Sequence, residues 1–345
     1  MATGTGLDAQ LGFASESTWG TPVTVTRFLE FNSEATQFNP SFLEPTGLRP
    51  GVYFKRANRV QVAKSDVTGD IEVEHATKGM GLLWHHALAS ATTTTTVITG
   101  TAFKQIHTPG GFNGLGFTTQ LGRPEPGGTV RPFTYAGCKV TGWEFSVKEQ
   151  AIPSLKLTID AKSESTSTAL ATASYLSGAT VFTFQQVANF KLGGTPTTSA
   201  GETTIGSGVA VATIVKDFTL TGKTPLATDR FGLGNAGLKA EQIGPNATPT
   251  ITGKLSAEFS KTEFYDVYKA NTTIPLQLDL QGGVIGATAS NYLLSFILPA
   301  IKFKAAPPMV GGPDIVQMSV DFEAYSNEID PVIQVKIQSD EATVV

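Results

Sequence analysis

"GFTTQLGRPEPGGTVRPFTYAGCKVTGWEF", residues 116–145, decides what kind of fold to expect from this chain. Apolar and polar residues alternate from Cys138 to Phe145, which is the period-two pattern of a strand with one buried face. Cys138, the chain's only cysteine, fits such a strand as a small buried side chain. It could act as a nucleophile only with a histidine and an orienting group, and the sequence identifies neither.

The composition extends this strand-rich interpretation to the whole chain. The 345 residues include 36 glycines and 19 prolines, while charged residues make up only 16%. Such a mixture favours many strands and turns over long surface helices. We therefore predict an all-β fold with minor α-helical content.

The predicted order of strands and helix occurs twice along the chain. Residues 68–74 (TGDIEVE) are echoed by residues 252–258 (TGKLSAE), and a helix-like segment follows each of them. Further on, the alternating residues 155–160 match residues 316–321. The two copies indicate an internal duplication.

The boundary between the copies is expected in the stretch 162–179, which is rich in Ser, Thr and Ala and typical of a linker. A chain of 345 residues is long enough for two domains that each bury a core. We predict two tandem domains, residues 1–165 and residues 166–345. Each should be an antiparallel β-sandwich or barrel with one short α-helix at its flank.

Each copy is predicted to contain one short amphipathic helix. The second helix surrounds Phe264 and follows Ser260, with Glu263 three residues later. That spacing fits a capping box, in which the glutamate side chain binds the backbone amide of the capping residue. In the first helix, apolar residues recur at helical spacing, at Met80, Leu83, Trp84, Ala87 and Leu88. We expect Met80, Leu83, Trp84 and Leu88 to pack on the sheet of their own half or on the neighbouring half.

No combination of residues in the sequence predicts a catalytic or metal site. Residues 232–237 match a dinucleotide-binding string, but neither a buried strand nor a long helix flanks them. His85 and His86 are adjacent, so on a helix they point about 100° apart, and we interpret them as a helix flank with one solvated histidine. Glu72 and Glu74 fit the wet face of a half-buried strand. We predict a protein without catalytic residues, cofactors or metals, and not an enzyme.

The charge and the ends of the chain limit its partners. A formal net charge of -4 without a basic block argues against tight binding of phosphates. The first residues lack the positive start and apolar stretch of a signal peptide. The longest apolar run, residues 292–301, covers about half of the roughly 20 residues that a membrane helix needs, and is better explained as a buried strand or turn. We expect synthesis in the cytoplasm and no membrane partner.

A segment between two strand-like stretches, residues 37–61, carries more apolar area than a free loop would. It contains three prolines and two glycines. We predict that it is a long arm that bridges subunits, within or between rings of an assembly. The alternative is a hairpin folded onto its own domain. The apolar residues that the arm would present are Phe38, Phe42, Leu43, Tyr53 and Phe54.

Several stretches, taken in order, resemble the major tail tube proteins of long-tailed (siphovirus-type) bacteriophages. They are the opening stretch with LKLTID (155–160) after it, GLDAQLGFASESTWGTPVTVTRFLEFNSEA (6–35) and VDFEAYSNEIDPVIQVKIQSDE (320–341). The resemblance covers nearly the whole chain. No single piece is a catalytic signature, so the specificity comes from the order of the pieces.

The resemblance implies a structural virion protein. It implies β-sandwich protomers in rings that stack into a hollow tail tube, which conducts DNA from the capsid to the host without sequence-specific binding. The chain would be made in the host cytoplasm, and its partners would be itself, a tape-measure protein, a tail terminator and baseplate or tail-tip proteins. The alternative is a β-sandwich virion protein that binds a receptor or a carbohydrate, which should carry exposed aromatic residues clustered in loops.

The resemblance also implies about four strands of an inner barrel from each sandwich. Three chains would then form a ring of pseudo-sixfold symmetry with about 24 strands, and this is the arrangement we expect. A ring of six chains is the alternative, provided that only one half of each chain lines the channel.

Overall fold

Antiparallel β-strands dominate the computed structural model, which describes residues 4–91 and 95–344. Every ladder between its named strands is antiparallel. Within the described residues there are two α-helices, α1 (Gly81–Leu88) and α2 (Glu263–Lys269). The predicted all-β class with minor helical content is confirmed.

The strands divide evenly between the two halves of the described chain. The first half contains β1 (Gln10–Ser15), β2 (Arg27–Leu29), β3 (Ser33–Glu34), β4 (Gln37–Leu43), β5 (Gln61–Glu74), β6 (Thr96–Thr99), β7 (Ala102–His107), β8 (Phe117–Pro124), β9 (Val130–Lys148), β10 (Ser154–Ala161) and β11 (Ser163–Ser165). The second half contains β12 (Val187–Leu192), β13 (Thr195–Ser199), β14 (Glu202–Gly206), β15 (Val209–Ala210), β16 (Val215–Lys223), β17 (Thr250–Glu258), β18 (Ile274–Val284), β19 (Asn291–Ala305), β20 (Pro308–Met309), β21 (Gln317–Ala324) and β22 (Gln334–Ser339). Short 3₁₀ turns lie at Gly6–Asp8, Ala57–Arg59 and Phe184–Gln186.

The order in which strands pair is the same in the two halves. In the first half β4 pairs with β5, β5 with β10, β10 with β9, and β9 with β8. In the second half β16 pairs with β17, β17 with β21, β21 with β19, and β19 with β18. Helix α1 follows β5, and α2 follows β17. The repeated order of strands, helix and strands in the sequence is therefore also a repeat in the fold.

The register of the ladders corrects one part of the sequence match. Val73 lies opposite Leu155, and its counterpart Ala257 lies opposite Met318. Leu155 therefore corresponds to Met318. The match of residues 155–160 with 316–321 had instead implied that Leu155 corresponds to Val316. Side chains on a strand alternate with a period of two, so a shift by two residues leaves the same pattern on both faces. For this reason alternation alone could not reveal the error.

The two halves are joined into one sheet by the pairing of β9 with β16. Phe145 on β9 lies opposite Leu220 on β16, and the ladder runs from Asp217 to Lys223. The strand order is thus β4-β5-β10-β9-β16-β17-β21-β19, four strands from each half. A single cluster of buried apolar residues includes side chains from both halves. The division between residues 165 and 166 stays a prediction, since pairing and core both continue across it.

Two glycines on the sheet make room for aromatic rings from the neighbouring strand. A Cβ atom on Gly222 would lie 2.2 Å from the ring of Trp143, its partner across the β9–β16 ladder. A Cβ atom on Gly253 would lie 2.0 Å from the ring of Phe322 on β21. Both rings cover the glycine opposite them, so only glycine allows this close packing of ring on backbone.

Helix α1 is buried on all sides and is not amphipathic as predicted. The Trp84 side chain is completely buried, and its indole nitrogen donates a hydrogen bond of 2.9 Å to Nε2 of His75. The Trp84 ring centre lies 5.2 Å from that of Trp143 and 5.4 Å from that of Phe296, which belongs to the second half. Burial lowers the pKa of His75 to about 3, so its imidazole is neutral and can accept the bond. The helix therefore connects the cores of both halves.

The interpretation of His85 and His86 as a flank with one solvated histidine is wrong, because both side chains are buried. Nε2 of His86 lies 2.9 Å from the hydroxyl of Ser15 on β1. The His86 ring also packs on Phe117 of β8, with ring centres 4.8 Å apart. Burial, and then the neighbouring His85, hold the pKa of His86 well below its ordinary value. The helix flank is covered because β1 and β8 lie over it.

The predicted capping box at α2 is also wrong. The N-cap residue is Thr262, not Ser260, and no side chain caps the backbone there. The Glu263 carboxylate turns away from the helix and accepts hydrogen bonds from the hydroxyl and backbone nitrogen of Thr213, at 2.8 and 3.3 Å. Phe264 is the one buried residue of α2. A tertiary contact has replaced the local one that the spacing predicted.

Replacing Trp84 by alanine should lower the free energy of unfolding by about 3 kcal/mol or more, because a large buried ring is lost and His75 loses its donor. Denaturant titration followed by circular dichroism measures this change. Tyr53→Ala, at a side chain that is 94% exposed, is the matched control and should change the free energy by less than about 0.5 kcal/mol. A denaturation midpoint of Trp84→Ala equal to that of the control would contradict the prediction.

Candidate assembly surfaces

One face of the continuous sheet is polar across both halves. Going from strand to strand, the residues that lie opposite one another on this face are Glu72, Lys156, Glu144, Thr221, Thr252, Glu323 and Lys302. All of these side chains are exposed or half-buried. The neighbouring row faces the core and consists of Val73, Leu155, Phe145, Leu220, Gly253, Phe322 and Phe303. Along this row the sheet therefore has one solvated face that extends over three strands of the first half and four strands of the second.

Charges of opposite sign alternate on this polar face. The Lys156 ammonium group lies 2.7 Å from the Asp70 carboxylate, and the Lys304 ammonium group lies 3.1 Å from that of Glu323. Exposed pairs of this kind contribute little to stability, typically 0–1 kcal/mol. Their consequence is electrostatic, because neighbouring charges cancel and no strong field of one sign develops. Glu72 lies on this face, as its alternation with apolar residues predicted.

The predicted arm, residues 37–61, is a long hairpin between β4 and β5. Its strands pair from Gln37 opposite Thr68 to Leu43 opposite Gln61, and residues 44–60 form the tip. All five apolar side chains assigned to the arm are exposed, by 39% at Phe38, 57% at Phe42, 60% at Leu43, 94% at Tyr53 and 87% at Phe54. A cluster of exposed apolar side chains on one hairpin is typical of a surface that another protein covers.

A second segment that links two strands of the sheet, residues 224–249 between β16 and β17, lies on the first half of the chain. We call it the clamp. The Lys239 ammonium group is completely buried and lies 2.5 Å from the carboxylates of both Asp66 and Asp160. The amide of Gln242 donates a 2.7 Å hydrogen bond to Asp160. Burial raises the pKa of Asp160 above its ordinary value, although the Lys239 ammonium group opposes that shift.

Further polar and apolar contacts hold the clamp. The Lys139 ammonium group on β9 lies 2.7 Å from the Glu241 carboxylate and also donates to the backbone oxygens of Phe112 and Gln242. Leu226 is buried against Ala89 and Phe112, beyond the end of α1. The clamp therefore binds the first half through a buried set of charges and through one apolar side chain.

The buried charges of the clamp could not be predicted from the sequence. Asp160 occupies a polar position of an alternating strand, where a solvated carboxylate is the ordinary expectation. Lys239 lies in a segment between strands, where a lysine is normally exposed. Nothing local distinguishes these residues from surface charges. These side chains are buried because a segment almost eighty residues away in the sequence packs on them. Correlated substitutions of the paired residues among related sequences would have indicated this contact.

The residues considered for chemistry do not form a site. Cys138 is buried on β9, as predicted, and burial raises the pKa of its thiol well above the usual range. His107 is buried too, and burial lowers its pKa to about 3. Residues 232–237 lie outside helices and strands. Over residues 4–91 and 95–344, no cluster of three or more His, Cys, Asp or Glu side chains could hold a metal ion. Neither of the two described helices is long and apolar enough to cross a bilayer.

Comparison with known proteins adds a family to this geometry. A family described as phage tail tube protein matches residues 6–324, which is nearly the whole chain. A search of curated proteins found no match.

Replacing Lys239 by methionine should lower the free energy of unfolding by about 3–5 kcal/mol, because Asp160 would stay buried without its cation. Urea titration measures the change. The control Lys55→Met removes an exposed pair with Glu44, outside the clamp, and should cost about 0–1 kcal/mol. The double variant Lys239→Met/Asp160→Asn should recover part of the loss. Equal effects of Lys239→Met and the control would show that the clamp does not depend on this pair.

Proposed function

The chain belongs to the phage tail tube protein family, and we propose that its rings stack into the hollow tail tube through which viral DNA leaves the capsid. A structural role in the phage tail follows from the family. We propose in addition that the units of the tube are rings and that the lumen conducts DNA. Within it, a tape-measure protein, a tail terminator and tail-tip proteins contact the tube at its lumen and ends.

The continuous sheet with one polar face carries this proposal. A wall that DNA slides past must be wettable, and it must not hold phosphates, since each contact between a cation and a phosphate is an attraction that transit has to break. The polar face meets both needs, because it is hydrated and its lysines lie beside carboxylates. We assign this face to the lumen and the buried aromatic row to the interior of the wall.

The width of the channel favours three chains in each ring. Four strands from each half make about 24 strands for three chains, and at about 4.8 Å between strands tilted by about 40° these form a barrel about 48 Å across. Removing about 5 Å of side chain on each side leaves a channel of about 38 Å. Duplex DNA, about 20 Å across, passes through it with room for water. Six chains that contributed both halves would leave about 86 Å.

The pairing of β9 with β16 supports the ring of three over the ring of six. In the six-chain alternative one half of each chain decorates the outside of the tube. Two halves that share one sheet have their polar faces side by side, so a barrel lined by one half continues into the other. The three-chain ring therefore needs no rearrangement of the chain.

Imaging tests the function and the symmetry together. The purified protein should form rings or tubes in negative stain, and a cryo-EM reconstruction of them should show threefold symmetry with an approximate sixfold repeat. True sixfold symmetry with one half of the chain projecting outward would contradict the ring of three. A protein that remains monomeric at all concentrations and ionic strengths would contradict the function itself.

The arm is proposed to bridge subunits, and shortening it tests this. Replacing residues 41–51 by a short Gly/Ser turn should leave a folded chain by circular dichroism that forms no tubes, because its exposed apolar contacts are lost. Tyr53→Ser/Phe54→Ser keeps the backbone of the arm and should weaken assembly in the same direction. Ile329→Ser, which removes an apolar side chain that is 84% exposed outside the arm, should assemble normally. Normal tubes from the shortened arm would contradict the proposal.

A further inference from the structure

Strand β4 lacks a partner that its counterpart in the second half has. Strand β16 is paired on both edges, with β17 on one side and β9 on the other. Among the described residues β4 is paired only with β5. An exposed strand edge is a row of unpaired N–H and C=O groups that readily pairs with another chain. At the end of the sheet formed by β4, one edge of that strand therefore has no partner among the described residues.

A complementary edge is free at the opposite end of the sheet. On β9, strand β8 covers one edge up to Cys138, and β16 continues along that edge from Gly142 to Lys148. On β19, the counterpart of β9, strand β18 covers the same edge only up to Ile301. Beyond Ile301, the described partner of β19 is β21, which lies on the other edge. On β19 the place that β16 takes on β9 begins at Ala305, the last residue of the strand, and no described strand pairs with that edge there.

The registers show which residues correspond at the two places. Lys223 lies opposite Thr250 as Asn39 lies opposite Asp66, and these pairs occupy the same position in the repeat. Gly142 lies opposite Thr158, and by the same correspondence Ala305 lies opposite Asp321.

Within the chain, Lys223 and Gly142 face each other across the β16–β9 ladder. Their counterparts, Asn39 and Ala305, lie at opposite ends of the sheet. Seven strand spacings of about 4.8 Å separate them by about 34 Å, so they can meet only between two copies of the chain.

The charges at the receiving position repeat as well. Lys139 lies opposite Asp160 on the first half, and this is the pair that the clamp covers. Lys302 lies opposite Glu323 at the corresponding position of the second half, and both side chains are only half-buried. The arm takes the place of the clamp in the first half, because each segment links the edge strand to the next strand of the sheet.

The exposed apolar side chains of the arm fit the same position. Leu226 follows Lys223 by three residues and is buried against the first half, next to the end of α1. Phe42 follows Asn39 by the same three residues, and 57% of its surface is exposed. A phenylalanine in the place of Leu226 would be covered by the second half of another copy, next to the end of α2.

We propose that β4 of one copy pairs antiparallel with the free edge of β19 in a second copy, with Asn39 opposite Ala305 and Phe42 buried as Leu226 is. Each copy offers one edge of each kind, so the contact is head-to-tail and forms a closed ring when the rotation closes. This inference deepens the proposed function, since it rests on the second copy being the neighbour in a ring.

Cysteine cross-linking tests the register directly. Opposed residues of antiparallel strands have Cα atoms about 4.5–5.5 Å apart, a distance that a disulfide can bridge. The variant Asn39→Cys/Ala305→Cys should give covalent multimers under mild oxidation on a non-reducing gel, while Cys138 stays buried and unreactive. Lys223→Cys/Gly142→Cys should form the equivalent bond within one chain and run as a monomer. Asn39→Cys/Thr197→Cys, which pairs Asn39 with an exposed residue away from the edge, should give no multimers.

The results of the cross-linking experiment distinguish a failure of the proposed pairing from a failure of the proposed function. A ladder of cross-linked species that ends at three chains supports the pairing and the three-chain ring, whereas a ladder to six supports the pairing and contradicts the ring of three. Absence of multimers while the same variant still forms tubes would overturn the pairing and leave the function standing. If the double variant does not fold, Asn39→Cys and Ala305→Cys are purified separately and mixed. A mixed dimer supports the pairing, and its absence in assembled tubes overturns it.

Discussion

The pairing of β9 with β16 is the interaction on which the rest of the structure depends. It joins a four-stranded sheet from the first half to one from the second, so that Phe145 lies opposite Leu220 in one core. Because both sheets have a polar face and an apolar face, the pairing also aligns these faces. Had the ladder formed one residue out of register, every side chain of the second sheet would have changed sides. Gly222 fixes the register, since only glycine fits beneath the ring of Trp143.

The clamp reinforces this join by a different kind of interaction. Burying Lys239 and Asp160 costs desolvation energy, and burial raises the pKa of Asp160 although its cation opposes that shift. The value of such a pair lies in specificity. A clamp in any other position would leave a charge buried without a partner, so the halves are held in one arrangement. Apolar contacts, such as that of Leu226, stabilise the packing of the clamp on the first half.

Strand alternation, the repeat and the exposed arm could be predicted from sequence, because each depends on local pattern. The alternation around Cys138 indicates that one face of the strand is buried, independently of which segment covers that face. What could not be predicted depends on distant segments. The helix around Trp84 has an apolar stripe that the sequence shows. Its other flank is covered by β1 and β8, and nothing in the local sequence at His85 or His86 predicts this cover. Glu263 has the spacing of a capping residue, and a threonine fifty residues earlier binds it instead.

Proline limits how far the free edges of the sheet can extend their pairing. Pro307 and Pro308 follow Ala305 after one residue, and neither has an N–H group to donate. Pro40 follows Asn39 directly on β4. The ladder that we propose between two copies would therefore end close to the Asn39 and Ala305 pair on both strands. Short edges of this kind favour one register and discourage the open-ended stacking of strands that long flat edges allow. In the proposed contact, side chains would have to complete the interface, and we assign this role to the exposed aromatic residues of the arm.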